Sequence, residues 1–325
     1  MATIPWHKLL SGLTASFLAL GGVVTLTKAQ ATGPPRPCYA FLRGNAHQSS
    51  DLYVACEGKN KRITKVGDIW DFAVAADGSA LALRRQRGTQ RGRDSYGGPI
   101  DIPHFEVEVV SLKPDFQRRW SPVEGRASLY PYCGAILALA RDVYPGSGGP
   151  PKVTYSTHNV LTGRPLSLPP YVAFGCSADK KTVVGYLDVD RHTLWAGMPP
   201  QRRIVHAAQG GSVFPYDISP NGQYVGYAAD DALCVDKSGQ NLGCVRGWSV
   251  KISVSDWGAI LYDDGTGETC AGWECMGIFY WRPGTGEPKV IEAVGWYAQW
   301  ITPKVAAALR VWGSHENASG GKTPK

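Results

Sequence analysis

Apolar and polar residues alternate along most of this chain in short runs, and tight turns interrupt the runs. Six times an apolar run reaches a turn and resumes as a second alternating run, at intervals of roughly 35 to 55 residues. The six units are 70–83, 128–139, 172–186, 213–227, 250–262 and 297–312. Alternation with a period of two predicts β-strands, so each unit predicts a hairpin. Repeats of this length with strand signals are typical of arrays of small sheets, because one small sheet cannot bury both faces.

A second hairpin follows most of these units. Examples are 105–119, 153–168, 232–245 and 278–291. Their turns contain Thr-Gly or Ser-Gly pairs, in which glycine takes the positive φ that a tight hairpin requires. Two consecutive hairpins predict a four-stranded antiparallel sheet, the blade of a β-propeller.

The two ends of the chain predict how the array closes. Residues 297–312 have the pattern of a first hairpin with no second, whereas residues 51–66 have that of a second hairpin with no first. Together they complete a sixth blade, which hides the strand edges that an open array exposes. The sequence therefore predicts an all-β, six-bladed propeller over residues 51–313, closed by N- and C-terminal strands that share one blade. Residues 32–50 are expected to be an N-terminal lead-in.

One turn carries a family signature. The run Ile-Ser-Pro-Asn-Gly-Gln-Tyr-Val-Gly-Tyr at 218–227 is echoed by Ile-Thr-Pro-Lys at 301–304 and by Ala-Asp-Gly at 76–78. It resembles the Ser-Pro-Asp-Gly strand-turn signature of TolB-like propeller repeats, which belong with WD-repeat-like propellers in architecture. The second, third and fifth units replace the Pro-Asn-Gly turn with other residues. The resemblance implies an exported binding platform more readily than a catalyst, and it transfers no catalytic residue.

The first 31 residues have the pattern of a secretory signal: a lysine, an apolar stretch and a small-x-small cleavage site. Cleavage after residue 31 predicts a secreted or periplasmic protein with no stable membrane span. An uncleaved membrane anchor is the alternative, because the apolar stretch comes close to spanning length. Residues 314–325 are rich in Gly, Ser and Lys and are expected to form a disordered tail.

The eight cysteines lie beyond the signal segment, and an even number in an exported chain predicts disulfides. Cys234 and Cys244 flank a turn-rich segment that brings two strands alongside each other, so they are a predicted pair. Cys270 and Cys275 close a short loop and are the second. The remaining four admit three connectivities: Cys38, Cys56, Cys133 and Cys176. A zinc site is the alternative, but no Cys-x-x-Cys occurs, and we expect neither a metal nor a cofactor.

Charge is only mildly positive, with a formal net value of +7 at pH 7. It permits an anionic partner but is far from the concentrated basicity of a dedicated nucleic-acid binder, and no specific nucleic acid is expected. Five arginines fall within ten positions of a Gly-containing segment interpreted as a loop: Arg84, Arg85, Arg87, Arg91 and Arg93. Guanidinium groups suit phosphate, sulfate or carboxylate, so this loop is a candidate anion-binding site; a merely solvated loop is the alternative.

Long connections are expected on one face of the ring, at 84–104, 140–152, 187–203 and 263–277. Aromatic and polar residues lie near the starts of the innermost strands, where they either pack between blades or surround a ligand at the channel mouth. The candidate ligand-binding residues are Trp70, Asp71, Tyr171, Tyr216, Asp217, Lys251, Trp296 and Gln299.

Catalytic motifs are absent from the sequence: it has no Gly-x-Ser-x-Gly, no His-Glu-x-x-His and no phosphate-binding P-loop. We therefore expect a monomeric scaffold that binds a protein or glycan partner through its loop-rich face, with no assignable catalytic residue. The alternative is a hydrolase or lyase that acts on a lactone, ester or glycan at the channel mouth, because a fold does not settle a function.

Overall fold

The alternating runs form short antiparallel strands. Alternation with a period of two puts the apolar side chains of a strand on one face of its sheet, where they pack in the core, and the polar side chains on the other. The computed structural model describes residues 37–45, 49–93, 98–121, 126–133, 135–141, 155–165, 173–186, 193–198, 201–208, 213, 216–247, 249, 251–265 and 276–318. These residues belong to one unit, Arg36–Lys325. The predicted signal segment lies outside the described residues.

Within these ranges the strands form six four-stranded antiparallel sheets. Sheet 1 has the order β24-β1-β2-β3 and contains β1 (Cys38–Asn45), β2 (Ser49–Cys56), β3 (Lys59–Arg62) and β24 (Trp296–Ile301). Sheet 2 contains, in chain order, β4 (Ile69–Val74), β5 (Ala80–Arg93), β6 (Pro99–Ser111) and β7 (Arg118–Ser121). Sheet 3 contains, in chain order, β8 (Arg126–Tyr132), β9 (Ala135–Arg141), β10 (Tyr155–Asn159) and β11 (Arg164–Pro165).

The other three sheets also follow the order of the chain. Sheet 4 contains β12 (Ala173–Cys176), β13 (Val183–Tyr186), β14 (Thr193–Gly197) and β15 (Arg203–Ala207). Sheet 5 contains β16 (Tyr216–Ile218), β17 (Tyr224–Ala229), β18 (Ala232–Lys237) and β19 (Gln240–Arg246). Sheet 6 contains β20 (Ile252–Val254), β21 (Ile260–Gly265), β22 (Met276–Trp281) and β23 (Lys289–Glu292). The fold is thus all-β and propeller-like in its sheets.

Strands from both ends of the described chain share sheet 1. β24 pairs antiparallel with β1, from Cys38 opposite Ile301 to Leu42 opposite Trp296. The direct partner of β24 is therefore a strand inside the segment 32–50, which the sequence predicts to be a lead-in. The alternating residues of β1 gave a strand signal that the repeat alignment did not use.

The last repeat differs from its prediction. Residues 297–312 are not a hairpin, because β24 is followed by a helix, α1 (Pro303–Ala318). Thr302 caps this helix by accepting a hydrogen bond from the Val305 N–H (3.2 Å), and proline is favoured at the first helical position. Val305, Leu309 and Trp312 follow helical spacing and are buried. The helix also extends to residue 318, into the segment predicted to be a disordered tail.

Helix α1 packs on strands of sheets 1 and 2. It contacts β1 and β2, and its apolar face joins the core between these sheets. Gly78, in the β4–β5 turn, has a φ of 70°, and a Cβ there would lie 2.6 Å from Cγ2 of Val305. This close approach explains why the turn needs glycine.

The signature turn is built by a serine hydroxyl. Ser219 Oγ donates to Asn221 Oδ1 (2.7 Å), and Ser177 Oγ donates in the same way to Asp179 Oδ1 (2.6 Å). The third unit therefore keeps the hydrogen bonding of the signature. Lys180, with a φ of 63°, takes the place that Gly222 has in the signature turn.

Three disulfides are present among the described cysteines, none of which is free. The predicted Cys234–Cys244 pair is confirmed, across β18 and β19. The pairs left open by the sequence are Cys38–Cys56, within sheet 1, and Cys133–Cys176, between sheets 3 and 4. Cys270 and Cys275 lie outside the described residues.

Candidate functional site

Polar side chains from several sheets meet where the first strands of those sheets approach one another. Lys251, just before β20, is 9% exposed and Asp71, on β4, is 4% exposed. The Lys251 ammonium donates to Asp71 Oδ1 (3.0 Å), to the carbonyl oxygen of Phe72 (2.7 Å) and to that of Leu129 (3.0 Å). One side chain of sheet 6 thus joins sheets 2 and 3.

All three N–H donors of the Lys251 ammonium are used in hydrogen bonds. An ammonium has three N–H donors, and each has a partner here. Asp71 is also bonded further, because its carboxylate accepts the backbone N–H of Phe72 and that of Leu129, both at 2.8 Å. The pair is therefore built as a structural tie.

Three aromatic rings surround the same ammonium. Its nitrogen lies 5.5 Å from the centre of the Phe72 ring, 5.8 Å from that of Tyr130 and 5.6 Å from that of Tyr297. Ring faces attract a cation at these distances. Burial raises the pKa of Tyr297, and the negative charge of Asp71 raises it further, so this phenol stays neutral.

Asp217, on β16, is the second acidic residue of the region. Its Oδ2 accepts the backbone N–H of Val254 (2.9 Å). Burial raises the pKa of Asp217 to about 6, opposed by backbone hydrogen bonds, by the Ser253 hydroxyl and by the charge of Lys251. Lys251 therefore acts on Asp217 through its charge, whereas its hydrogen bonds go to Asp71, Phe72 and Leu129.

A small cavity adjoins these groups. Its volume is about 10 Å³, close to the space one water molecule needs. Its lining residues are Tyr130, Pro131, Tyr216, Asp217, Lys251, Ile252, Ser253, Ala298 and Gln299. Among the described residues, this cavity is too small for a sugar ring.

The remaining candidates divide into two groups. Gln299 joins β24 to β4, because its amide accepts from the Val74 N–H (2.9 Å) and donates to the Val74 carbonyl (3.0 Å). Trp70 lies apart, donating its indole N–H to Gln86 Oε1 (2.9 Å). Trp296 is buried in the core of sheets 1 and 2, and Tyr171 lies outside the described residues. Trp70 and Trp296 therefore do not join the cavity.

Three residues of this region were not among the sequence candidates. Leu129 and Tyr130 on β8 supply a carbonyl and a ring, yet neither is a polar candidate by residue type. Asp263 is fully buried, accepts from the Ser249 hydroxyl, and has a pKa raised by that burial. Its pattern in the sequence is that of an acidic turn, so only packing distinguishes it.

The arginine segment is not a loop. All five arginines lie in β5, which pairs with β6 from Ala80 opposite Ser111 to Arg93 opposite Pro99. Arg91 is exposed, whereas Arg85 is 2% exposed and cannot meet an external anion in this conformation. The other expected insertions change as well: 187–203 contains β14, and most of 140–152 and 263–277 lies outside the described residues.

Arg85 instead holds helix α1 to sheet 2. It donates to Glu108 (2.6 Å), Asp68 (2.6 Å) and Glu316 of the helix (3.0 Å). Arg118 also pairs with Glu316. Burial lowers the pKa of Arg85, but the three carboxylates outweigh it and raise the pKa overall. This arginine is therefore structural.

No group of three or more metal-ligating side chains occurs in the described part of the chain. In the same residues, no helix is long and apolar enough to cross a membrane.

Comparisons with known proteins find no matching family model and no matching curated protein. Solved structures do match. TolB-like structures are among them. The structure described as TolB from Agrobacterium tumefaciens has 13% identity and a TM-score of 0.44, over 83% of this chain and 100% of that one. Apo AztD from Citrobacter koseri has 10% identity and a TM-score of 0.41, over 82% and 98%. Acylaminoacyl peptidase from Pyrococcus horikoshii has 12% identity and a TM-score of 0.43, over 78% of this chain but 43% of that one.

Proposed function

We propose that this chain is an exported, six-bladed β-propeller, closed by strands from both termini, that binds a partner on one face of the ring. Closure is supported by contacts between first strands: β4 contacts β8, β8 contacts β12, and the series continues through β16, β20 and β24 back to β4. The pairing of β24 with β1 supports it as well. Such a ring leaves only short, protected sheet edges.

Export is supported by the disulfides. Three form among the described residues, and disulfides persist in oxidising compartments outside the cytoplasm. N-terminal sequencing of the exported protein tests this part. A start at Thr32 is expected, whereas a start at residue 1 in membrane-bound material would mean that the segment is an anchor.

The binding function rests on one observation, the three hydrogen bonds of Lys251. They commit Lys251 and Asp71 to joining sheets, and the cavity beside them holds about one water. A protein or glycan partner does not fit this cavity, so we look for its binding face elsewhere. β5 and β6 form the longest described hairpin, with 14 and 13 residues, and they extend past their neighbours at one end of sheet 2. We take this end as the binding face for a protein or glycan.

Site-specific photocrosslinking tests the proposal. A photoreactive residue is placed at Thr89 on the long hairpin or, as the matched control, at Asp77 in the turn at the opposite end of β5; both positions are exposed. Each variant is irradiated in an extracytoplasmic extract of the producing cells. A covalent partner is expected from Thr89 and not from Asp77. Equal labelling from both positions, or none from Thr89, would contradict binding on this face.

A second candidate is a hydrolase or lyase at the channel mouth. It is favoured by Asp217, because a carboxyl group with a pKa of about 6 beside a cavity is suited to general acid–base catalysis. Lactone, ester and glycoside substrates are assayed with the wild type and with Asp217→Asn. Turnover lost in the variant would support this enzyme, and no turnover by the wild type would remove it.

A further inference from the structure

Part of the long hairpin has no neighbouring strand on either side within the described residues. The last residue of β5 that pairs with β4 is Arg85, and the last of β6 that pairs with β7 is Val107. Beyond them, residues 86–93 and 99–105 pair only with each other among the described strands. We call this two-stranded segment the arm. Two strands alone are marginally stable in water, so a third strand would stabilise the arm.

The hydrogen-bonding direction of each arm residue follows from the register. Gln86 donates its N–H to the Asp68 carbonyl (2.9 Å), on the β4 side, so Gln86 and its partner Phe105 do not bond each other. In an antiparallel pair, bonded and non-bonded positions alternate. On β6 the non-bonded positions are therefore also 103, 101 and 99. These pair with Thr89, Arg91 and Arg93, whose N–H and carbonyl groups point away from β6.

The two edges of the arm differ in the backbone N–H donors at their outward positions. On the β6 edge, two of the three outward positions are Pro99 and Pro103, which have no N–H to donate. Proline at such positions blocks the addition of a strand. On the β5 edge the outward positions are Thr89, Arg91 and Arg93, and all three keep their donors. Strand addition is thus blocked on one edge and allowed on the other.

The charges of the arm indicate which kind of segment the open edge binds. The arm contains three arginines, at 87, 91 and 93, of which Arg87 pairs with Asp68 and Glu106. Its one aspartate, Asp101, lies opposite Arg91. Arg91 and Arg93 occupy outward positions of β5, next to the place that an added strand would take. Opposite charges on directly paired residues stabilise a sheet, whereas like charges destabilise it.

We propose that the β5 edge of the arm binds an extended segment of a partner protein, added as a third strand, with acidic side chains at alternate positions. Backbone hydrogen bonds to Thr89, Arg91 and Arg93 hold the segment, and the arginines select its charge. The segment continues the line of β4 beyond Asp68, where β4 itself no longer pairs with β5. This inference rests on the proposed binding function and names the chemistry of its partner.

The test uses a fluorescein-labelled nonapeptide of alternating Glu and Val, and fluorescence anisotropy with the full exported chain. A second peptide has the same sequence and charge, but the backbone nitrogens of its glutamates, which lie opposite the outward positions of β5, are methylated. We expect the first peptide to bind and the methylated one to bind at least tenfold more weakly, because methylation removes the donors of one edge. Binding should weaken with salt and in Arg91→Gln.

Protein variants test the same edge. Thr89→Pro removes one outward donor without changing the charge and should weaken binding tenfold or more, whereas Thr89→Val keeps the donor and should not. If Thr89→Pro lowers the melting temperature, the methylated peptide still decides the result on the wild-type protein.

Three results would overturn the inference. Equal binding of both peptides would show attraction by charge alone, and would leave a partner on this face possible. No binding of either peptide would remove the acidic strand, while crosslinking at Thr89 still tests the proposed function separately. A wild-type dimer that Thr89→Pro dissociates would show that the edge pairs with a second copy of this chain.

Discussion

Replacing Lys251 by methionine should be among the most damaging single changes in this protein. The variant keeps an apolar side chain against the surrounding rings but removes the ammonium that bonds Asp71, Phe72 and Leu129. Removing one partner of a buried ion pair costs about 3 to 5 kcal/mol, because the other charge stays buried. Asp71 keeps two backbone N–H bonds, which places the cost near the lower end, about 3 kcal/mol. That is a large fraction of the roughly 5 to 15 kcal/mol that stabilises a typical domain.

Urea unfolding followed by tryptophan fluorescence measures this change. The matched control is Lys61→Met, an exposed lysine on β3, which should change the free energy of unfolding by less than about 0.5 kcal/mol. The double variant Lys251→Met/Asp71→Asn should be more stable than the sum of the single effects predicts, by about 0.5 to 3 kcal/mol. A cost under about 1 kcal/mol for Lys251→Met would refute the tie, and would reopen the central region to ligand binding or catalysis.

Three further predictions concern other parts of the fold. The folded-state pKa of Asp217 is raised to about 6 from 3.8, so its carboxyl group contributes stability below pH 4 that is lost as pH rises through 6; the stability of Asp217→Asn relative to the wild type should therefore rise by about 3 kcal/mol from well below pH 4 to well above pH 6 in unfolding titrations. Cys133→Ser/Cys176→Ser opens a loop with a sequence separation of 43 and should lower the free energy of unfolding by about 4 kcal/mol, against about 2.7 kcal/mol for serines at the β18–β19 disulfide, whose separation is 10. Glu316→Gln should speed hydrogen exchange in α1 and cost about 1.5 to 3 kcal/mol, whereas the exposed Glu287→Gln should leave exchange unchanged.

Local patterns predicted much of the strand content correctly. Five of the six first hairpins lie where alternation placed them, because strand patterning and turn residues act over neighbouring positions. The sixth failed at Thr302-Pro303, which the repeat alignment interpreted as a turn and which instead begins α1. A capping threonine before a first-turn proline is a helix signal in its own right, and the repeat interpretation displaced it.

The candidate site was predicted in part. Asp71, Asp217, Lys251 and Gln299 were selected because they are polar residues near the starts of the innermost strands. It could not select Leu129, which contributes only its backbone to Lys251. The five arginines lie in strand β5 where a loop was predicted, since a polar segment between strands looks the same in sequence whether a hairpin continues or a loop intervenes.

Neighbouring residues account for the elements whose causes are local: the alternating strands, the serine-based turns and the Cys234–Cys244 pair across a short turn. Tertiary structure alone decided which distant groups meet. It brought Lys251 to Asp71, Cys133 to Cys176 and Arg85 to Glu316. Burial and hydrogen-bond partners for these groups come from other sheets, so charge pattern along the chain could not distinguish a buried arginine from an exposed one. Packing therefore determined which charged side chains are buried in ion pairs and which are exposed.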